Sequence, residues 1–211
     1  MNLLLFLFFA LVVCRGEIID RIAVVVGSSV ITESEIVREI RLTAFLNGEP
    51  LDFSAASKRK TAERLVEQRL LQIENEASLY PPPPPDALDQ TLKEVQSKFS
   101  DPARYSQELL RTGITEEELK SHLRRQLITL RFLDLRFRPG IQIGEEDISA
   151  YFDQRLAPEL KKAHPGEQFS VIDYREQVEQ ALIAERVDKA SDAWLKEARE
   201  RTRIEFREAG K

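Results

Sequence analysis

The sequence predicts a mainly α protein, a multi-helix core with a small N-terminal β-hairpin that a short C-terminal strand joins. Three observations support this fold class. The chain of 211 residues is 32% charged and contains only 8 glycines, a composition typical of helical proteins. Several long stretches repeat apolar residues at helical spacing. Two short β-branched runs near the N-terminus, in contrast, flank turn residues.

The first segment, residues 1–16, is expected to be a secretory signal peptide rather than part of this fold. Residues 3–13 are uninterrupted apolar side chains, and the run is shorter than the roughly 20 residues that a membrane span needs. Cys14 and Gly16 supply the small residues that cleavage requires, so we expect cleavage between Gly16 and Glu17. The alternatives are a buried N-terminal strand or helix and a lipid-modified Cys14.

Removal of this segment would change the chemistry of the chain, because it contains the only Cys and the only Met. A mature chain without thiols has no disulfide, zinc thiolate site or cysteine nucleophile. Arg15 is removed as well, so the mature chain is one unit more negative than the −5 of the whole sequence. An acidic chain without a basic stripe is not expected to bind nucleic acid.

The first part of the mature chain predicts a hairpin followed by two helices. Residues 18–31 contain the two β-branched runs, separated by a Gly-Ser-Ser turn. Thr32 and Glu35 form a capping box that begins the first helix, which runs to about Leu46. The second helix extends from near Ser54 to about Leu79.

Five consecutive prolines, residues 81–85, end the second helix, because proline lacks the backbone N–H and disfavours a helical residue before it. Such a run is typical of a stiff spacer between helices. A ligand for proline-recognition domains is the alternative, and the absence of flanking basic residues disfavours it.

The second part of the chain predicts further helices and a final strand. Two short helices cover about residues 86–99 and 102–111. The acidic cap at Thr115 begins a long helix with two adjacent apolar stripes, which indicates burial over a wide arc. A sixth helix follows Gly144, residues 164–166 break the chain, and a long helix runs from Val171. The alternating residues 203–206 predict a strand.

No catalytic or metal-binding pattern stands out, so the sequence predicts no enzyme activity, no cofactor and no metal. His122 and His164 are far apart and have no nearby Cys, and we expect each to be solvated or part of a turn rather than a ligand. The numerous carboxylates alternate with Lys and Arg along helical faces, which is typical of a solvated surface.

Aromatic residues near the ends of elements are the candidates for binding extended apolar polypeptides. For any one of them, burial in the core is the more common role. If some line a cleft between helices, they would suit apolar-rich peptides. The predicted peptide-binding residues are Phe45, Phe53, Phe99, Tyr105, Phe137 and Phe152.

Several motifs, in order along the chain, resemble the SurA-type periplasmic chaperone family. Residues 19–26 (IDRIAVVV) and 30–36 (VITESEI) are similar to the strand, turn and "VIT-x-SE" opening of that family. Residues 64–71 resemble its second long helix, and residues 115–133 resemble its "L-x-x-x-L-R-x-Q-L" helix. Residues 141–152 are similar to its "I-x-I-x-x-x-E-I-x-x-Y" segment. Residues 174–194 and 203–206 resemble its C-terminal helix and strand, which fold back onto the N-terminal part.

The resemblance implies a periplasmic, ATP-independent holdase for unfolded polypeptides, such as outer-membrane proteins. The expected domains are a signal peptide (1–16), an N-terminal chaperone module (17–163), a linker (164–171) and a C-terminal helix and strand (172–206). The family places its parvulin prolyl-isomerase domains where this chain has only the linker, so isomerase activity is not expected. Gly27 replaces the usual Asn of the turn, and both residues accept left-handed backbone angles.

A second hypothesis is a non-catalytic assembly or scaffold subunit of the cell envelope that binds one folded partner or itself. Exchange of the C-terminal helix between two chains would give a homodimer. A third, a prolyl isomerase with a degenerate active site, is disfavoured because residues 153–170 are too few for a parvulin domain.

Overall fold

A computed structural model describes residues 20–207. The expected signal peptide, its cleavage site and the alternatives for Cys14 lie outside the described residues. The described chain is mainly helical with one small antiparallel sheet, which confirms the predicted fold class. No helix within residues 20–207 combines the length and the apolar character that crossing a membrane demands.

The sheet joins the two ends of the described chain. Strands β1 (Ile22–Val26) and β2 (Ser29–Thr32) form the hairpin, and β3 (Ile204–Phe206) lies on the other side of β1. Both pairings are antiparallel, with Val25 opposite Val30 in one and opposite Glu205 in the other. The expected C-terminal strand therefore pairs with the N-terminal hairpin.

Between β2 and β3 in the sequence, the described chain forms eight α-helices and two short helical turns. The α-helices are α1 (Glu33–Asn47), α2 (Ala55–Ala77), α3 (Ala87–Ser97), α4 (Pro102–Thr112), α5 (Glu116–Phe137), α6 (Glu145–Tyr151), α7 (Ala157–Ala163) and α8 (Arg175–Arg201). A 3₁₀ turn (Arg138–Gly140) follows α5, and a π-helical turn (Phe152–Leu156) joins α6 to α7.

Local side-chain chemistry explains where the helices begin. At Thr32 and Thr115, the hydroxyl accepts the backbone N–H three residues on, and the glutamate there accepts the N–H of the cap residue. Both predicted capping boxes are therefore confirmed. The Ser54 hydroxyl caps α2 in the same way, accepting the N–H of Ser57. These bonds satisfy amide groups that a helix leaves without partners in its first turn.

Apolar side chains form three clusters of buried residues. The sheet core lies between β1, α1, α2 and α8 and includes Val24, Val66 and Ala198. The aromatic core lies between α1, α3, α4 and α5 and includes Phe45 and Leu119. A third cluster joins the residues around the π-helical turn to α8. Helix α8 thus contributes buried residues to two of the three clusters. The domain boundaries at 163 and 171 stay predictions.

Two helical boundaries differ from the sequence expectation. The sixth predicted helix continues past Leu156 to Ala163, but a wider π-helical turn interrupts it. Pro158 is the second residue after this turn, and proline cannot supply the N–H that a regular α-helix needs there. The last helix begins at Arg175 rather than at Val171, because residues 170–175 form successive turns instead.

The wide buried arc predicted for α5 is only partly correct. Leu119 and Leu123 of the first predicted stripe and Phe132 of the adjacent one are buried, whereas Leu130 of the first stripe is 62% exposed. The neighbours of α5 therefore cover the first half of the helix more fully than the second.

Candidate functional site

An open cleft of about 530 Å³ lies between α1, α2 and α5. All three helices contribute their facing sides, at positions three, four or seven residues apart, as expected for helices that share a cavity. The lining residues are Glu35, Arg38, Glu39 and Leu42 from α1, Leu65, Gln68, Arg69, Gln72, Asn75 and Glu76 from α2, and His122, Arg125, Gln126, Ile128 and Thr129 from α5.

The cleft has apolar walls at its base. Leu42 is fully buried and belongs to the aromatic core, while Leu65 packs against the sheet core. Ile128 contributes a third aliphatic side chain from α5. Because Leu42 has no exposed surface, Leu65 and Ile128 are the aliphatic side chains of the cleft that an apolar group of a ligand can contact.

A buried carboxylate and a buried imidazole lie side by side next to these apolar walls. Glu39 and His122 are only 5% and 4% exposed, and His122 Nδ1 lies 3.3 Å from one carboxylate oxygen of Glu39. The other oxygen of Glu39 accepts a hydrogen bond of 3.2 Å from Arg64, whose guanidinium also donates to the Thr43 hydroxyl at 2.8 Å. The pair links α1 to α5, and Arg64 links α1 to α2.

The surroundings of Glu39 keep its carboxylate ionised. Burial raises the pKa of Glu39, but the hydrogen bond and charge of His122 and the charges of Arg64 and Arg125 outweigh it. The pKa therefore lies below the ordinary value of 4.5. The expectation that His122 is solvated is wrong, because its ring is enclosed by the helices and paired with a carboxylate. His164 is exposed and ends α7, as expected.

Most other charges at the rim have partners. Arg69 donates to Glu35 at 3.1 Å, which joins α2 to α1. Arg38 lies 3.3 Å from Glu118, which joins α1 to α5. Such exposed pairs contribute little to stability, but they neutralise the charges of the cleft locally. The cleft is consequently more dipolar than charged.

Four carboxamides also line this cleft: Gln68, Gln72 and Asn75 from α2, and Gln126 from α5. Gln72 donates to Glu76 on its own helix at 2.7 Å. Within residues 20–207, no side-chain hydrogen bond involves the carboxamides of the other three. Sequence reasoning missed this feature, although the spacing of four and three residues on α2 was a visible signal of one helical face.

A second, smaller groove of about 200 Å³ lies where the proline run passes α5. It shares Asn75 and Ile128 with the cleft, so the two spaces are neighbours. Its other walls are Tyr80, the first three prolines, Arg131 and Phe132. The Tyr80 and Phe132 rings lie 5.9 Å apart, so the proline run is positioned against α5 by an aromatic contact.

The six aromatic residues predicted to bind peptides lie in four different places. Phe45, Phe99 and Tyr105 pack together, with ring centroids 5.5–5.9 Å apart. Phe45 and Tyr105 are buried in the aromatic core, which Phe99 contacts from its edge. Their apolar surface is therefore largely occupied by the protein itself.

The remaining three of these aromatic residues are separate from that group and from each other. Phe53 is 41% exposed, with the Arg41 guanidinium 6.0 Å from its ring. Phe137 is half-buried beside Phe132 at the end of α5. Phe152 is buried in the third cluster. None of the six lines the cleft, and their role in peptide binding stays a prediction.

Within residues 20–207, no group of three or more His, Cys, Asp or Glu side chains is placed to hold a metal ion. The arrangement in the cleft instead offers an apolar base, hydrogen-bonding carboxamides and locally paired charges. These are the properties of a site for a neutral ligand with apolar side chains and many amide groups. A scan against family models and a search of curated proteins found no match to this chain.

Proposed function

We propose that this protein is an ATP-independent periplasmic holdase. It binds unfolded polypeptides, outer-membrane proteins among them, in the cleft between α1, α2 and α5. The observation that supports the proposal most strongly is the cleft itself, with its apolar base and free carboxamides. Clients of this kind alternate apolar and polar residues, and the cleft offers groups for both.

The arrangement of the chain ends also supports the proposal. Strand β3 pairs with β1, and α8 contributes to the sheet core. In the SurA-type family, which the sequence motifs resemble, the C-terminal segment likewise folds back onto the N-terminal module. Loss of the catalytic domain from such a protein would leave a holding function and no isomerase activity.

A non-catalytic assembly subunit with one folded partner is the second candidate. It is favoured by large apolar side chains that are exposed outside the cleft, at Leu79, Leu110 and Ile172. Exposed apolar surface of this kind is typical of protein contacts. Co-purification of one stoichiometric partner, without general suppression of aggregation, would support this candidate over the holdase.

The test is light scattering of an aggregating outer-membrane protein, without nucleotide, in the presence of residues 17–211 at stoichiometric ratios. This segment contains every described residue. We expect suppression of aggregation by the unmodified chain. The variant Gln68→Trp, which fills the cleft, should lose most of this effect, whereas the matched variant Gln177→Trp on the exposed face of α8 should keep it. A folded chain that suppresses nothing would refute the holdase.

A further inference from the structure

We infer that the cleft recognises the main chain of an extended client segment, through the carboxamides of Gln68, Asn75 and Gln126. This inference rests on the proposed function and specifies which part of the client the site binds. Main-chain recognition would make the cleft indifferent to client sequence, since every residue offers the same carbonyl and, except for proline, the same N–H. The chemical class of ligand is thus a polypeptide in extended conformation.

The carboxamides line the cleft from two helices, α2 and α5. Gln68, Gln72 and Asn75 occupy one face of α2, at spacings of four and three residues, and Gln126 contributes from α5. Ligand groups lying in the cleft would therefore have a carboxamide available from each of these two helices. A carboxamide has two N–H donors and a carbonyl acceptor, so it can bond to either polar group of a peptide unit.

Three of the four carboxamides make no side-chain hydrogen bond within the described chain. Among the side-chain hydrogen bonds of residues 20–207, only Gln72 of the four commits its amide, to Glu76. The carboxamides of Gln68, Asn75 and Gln126 meet no protein partner within hydrogen-bond distance in the described chain. Each hydrogen bond to a ligand would replace one to solvent, so its net contribution is favourable but modest.

Most of the charged side chains that line the cleft are paired with other side chains. Glu35 is paired with Arg69, and Glu39 with His122 and Arg64. The charge of Arg125, which also lines the cleft, acts on Glu39 as well. A charged ligand would have to compete with these pairs, whereas a peptide main chain is neutral and leaves them intact. Among the described residues that line the cleft, Arg125 and Glu76 are in no ion pair, but the other charges are already paired, which favours the neutral main chain over a charged ligand.

The length of the cleft along α2 matches that of a short extended peptide. The α2 residues that line the cleft run from Leu65 to Glu76, which corresponds to about 17 Å along a helix axis. An extended segment of about five residues has this length. The groove beside the proline run shares Asn75 and Ile128 with the cleft, so a longer client could continue along α5 toward Tyr80.

The experiment compares two fluorescein-labelled peptides with the same side chains, alternating aromatic and polar residues. One has an ordinary main chain, and the other is N-methylated at alternate positions, which removes donors. Fluorescence anisotropy measures their binding to residues 17–211. We expect N-methylation to weaken binding about tenfold, a change that the loss of one or two hydrogen bonds produces.

The double variant Gln68→Met/Gln126→Met removes two carboxamides while keeping side-chain length. It should bind the ordinary peptide about tenfold more weakly and should distinguish the two peptides less, because only Asn75 of the three carboxamides remains. The matched control is Gln177→Met/Gln180→Met, which changes two exposed glutamines of α8 outside the cleft. This control should bind like the unmodified chain, and circular dichroism checks that both variants are folded.

The outcomes separate this inference from the proposed function. Equal binding of the two peptides by the unmodified chain would overturn main-chain recognition, while suppression of aggregation would still support the holdase. If N-methylation weakens peptide binding but the protein does not suppress aggregation, main-chain recognition by the cleft is supported and the holdase proposal is overturned. Failure to bind either peptide and to suppress aggregation would overturn both.

Discussion

At the scale of single residues, the buried pair of Glu39 and His122 is the interaction with the greatest expected effect on stability. We predict that His122→Leu lowers the free energy of unfolding by about 3 kcal/mol, because it leaves the Glu39 carboxylate buried without its bond to the ring. Urea denaturation followed by circular dichroism measures this change. The double variant Glu39→Met/His122→Leu should recover part of the loss, since an apolar pair leaves no buried charge.

The same pair predicts a dependence of stability on pH. The pKa of Glu39 lies below its ordinary value of 4.5 in the folded chain, so the unfolded chain binds a proton more readily there. The stabilisation by the ionised carboxylate is complete above about pH 4.5 and is lost as the pH falls through the folded-state pKa. We expect the urea midpoint to decrease on acidification in this range, and to decrease less in Glu39→Gln. Equal slopes for both proteins would contradict the assignment.

At the scale of elements, the turn between β1 and β2 depends on the backbone freedom of Gly27. Its φ is +59°, and its N–H donates to the Arg203 carbonyl at 2.8 Å. A Cβ added there would lie 3.6 Å from the Thr202 side chain, an ordinary contact, so the cost of substitution is conformational. We predict that Gly27→Val costs about 1–2 kcal/mol or more, and Gly27→Asn clearly less, because Asn tolerates left-handed angles.

Thermal unfolding of the two variants tests this prediction. Gly140→Ala serves as the control, since Gly140 has no positive φ and no atom close to an added Cβ. Equal melting temperatures for the Val and Asn variants would show that the turn does not require a left-handed residue.

The sequence predicted well those features whose interacting residues lie close together in the chain. The capping boxes at Thr32 and Thr115 depend on atoms three residues apart, so the sequence contains the whole interaction. The exposure of Leu130, in contrast, depends on packing against other elements. Periodicity finds the apolar face of a helix, but the amount of that face that becomes covered is decided by its neighbours.

The cleft could not have been predicted for the same physical reason. Its walls come from three helices, and contacts such as that between Glu39 and His122 join residues far apart in the chain. The aromatic residues chosen from the sequence, such as Phe45 and Phe152, are those most often buried in cores, and both are buried here. The carboxamides carried the more informative signal, but polar residues on a helix are ordinarily solvated.

At the scale of the whole molecule, the C-terminal segment ties the fold together. Helix α8 contributes Ala198 to the sheet core and Val178 to the third cluster. Arg199 reaches Glu63 on α2 at 2.6 Å, and β3 adds a strand beside β1. The Arg59 guanidinium lies 3.5 Å from the centre of the Phe206 ring, a cation–π contact that fastens β3 to α2.

This closure predicts that an engineered disulfide forms within one chain. Val25 and Glu205 are directly opposite in the antiparallel pairing of β1 and β3, where Cα atoms lie about 4.5–5.5 Å apart, within the range for a disulfide. Residues 17–211 contain no cysteine, so Val25→Cys/Glu205→Cys has only the new pair to oxidise. We expect a monomer that migrates faster on a non-reducing gel than on a reducing one.

The control is Val25→Cys/Arg203→Cys, which moves one thiol by two residues along β3. Diagonal neighbours of this kind lie about 7–8 Å apart, beyond the separation that a disulfide tolerates, so this variant should stay largely reduced. A covalent dimer from Val25→Cys/Glu205→Cys would contradict closure within one chain. Because β3 would then pair with β1 of a second copy, that result would establish exchange of the C-terminal segment and favour the scaffold hypothesis over a monomeric holdase.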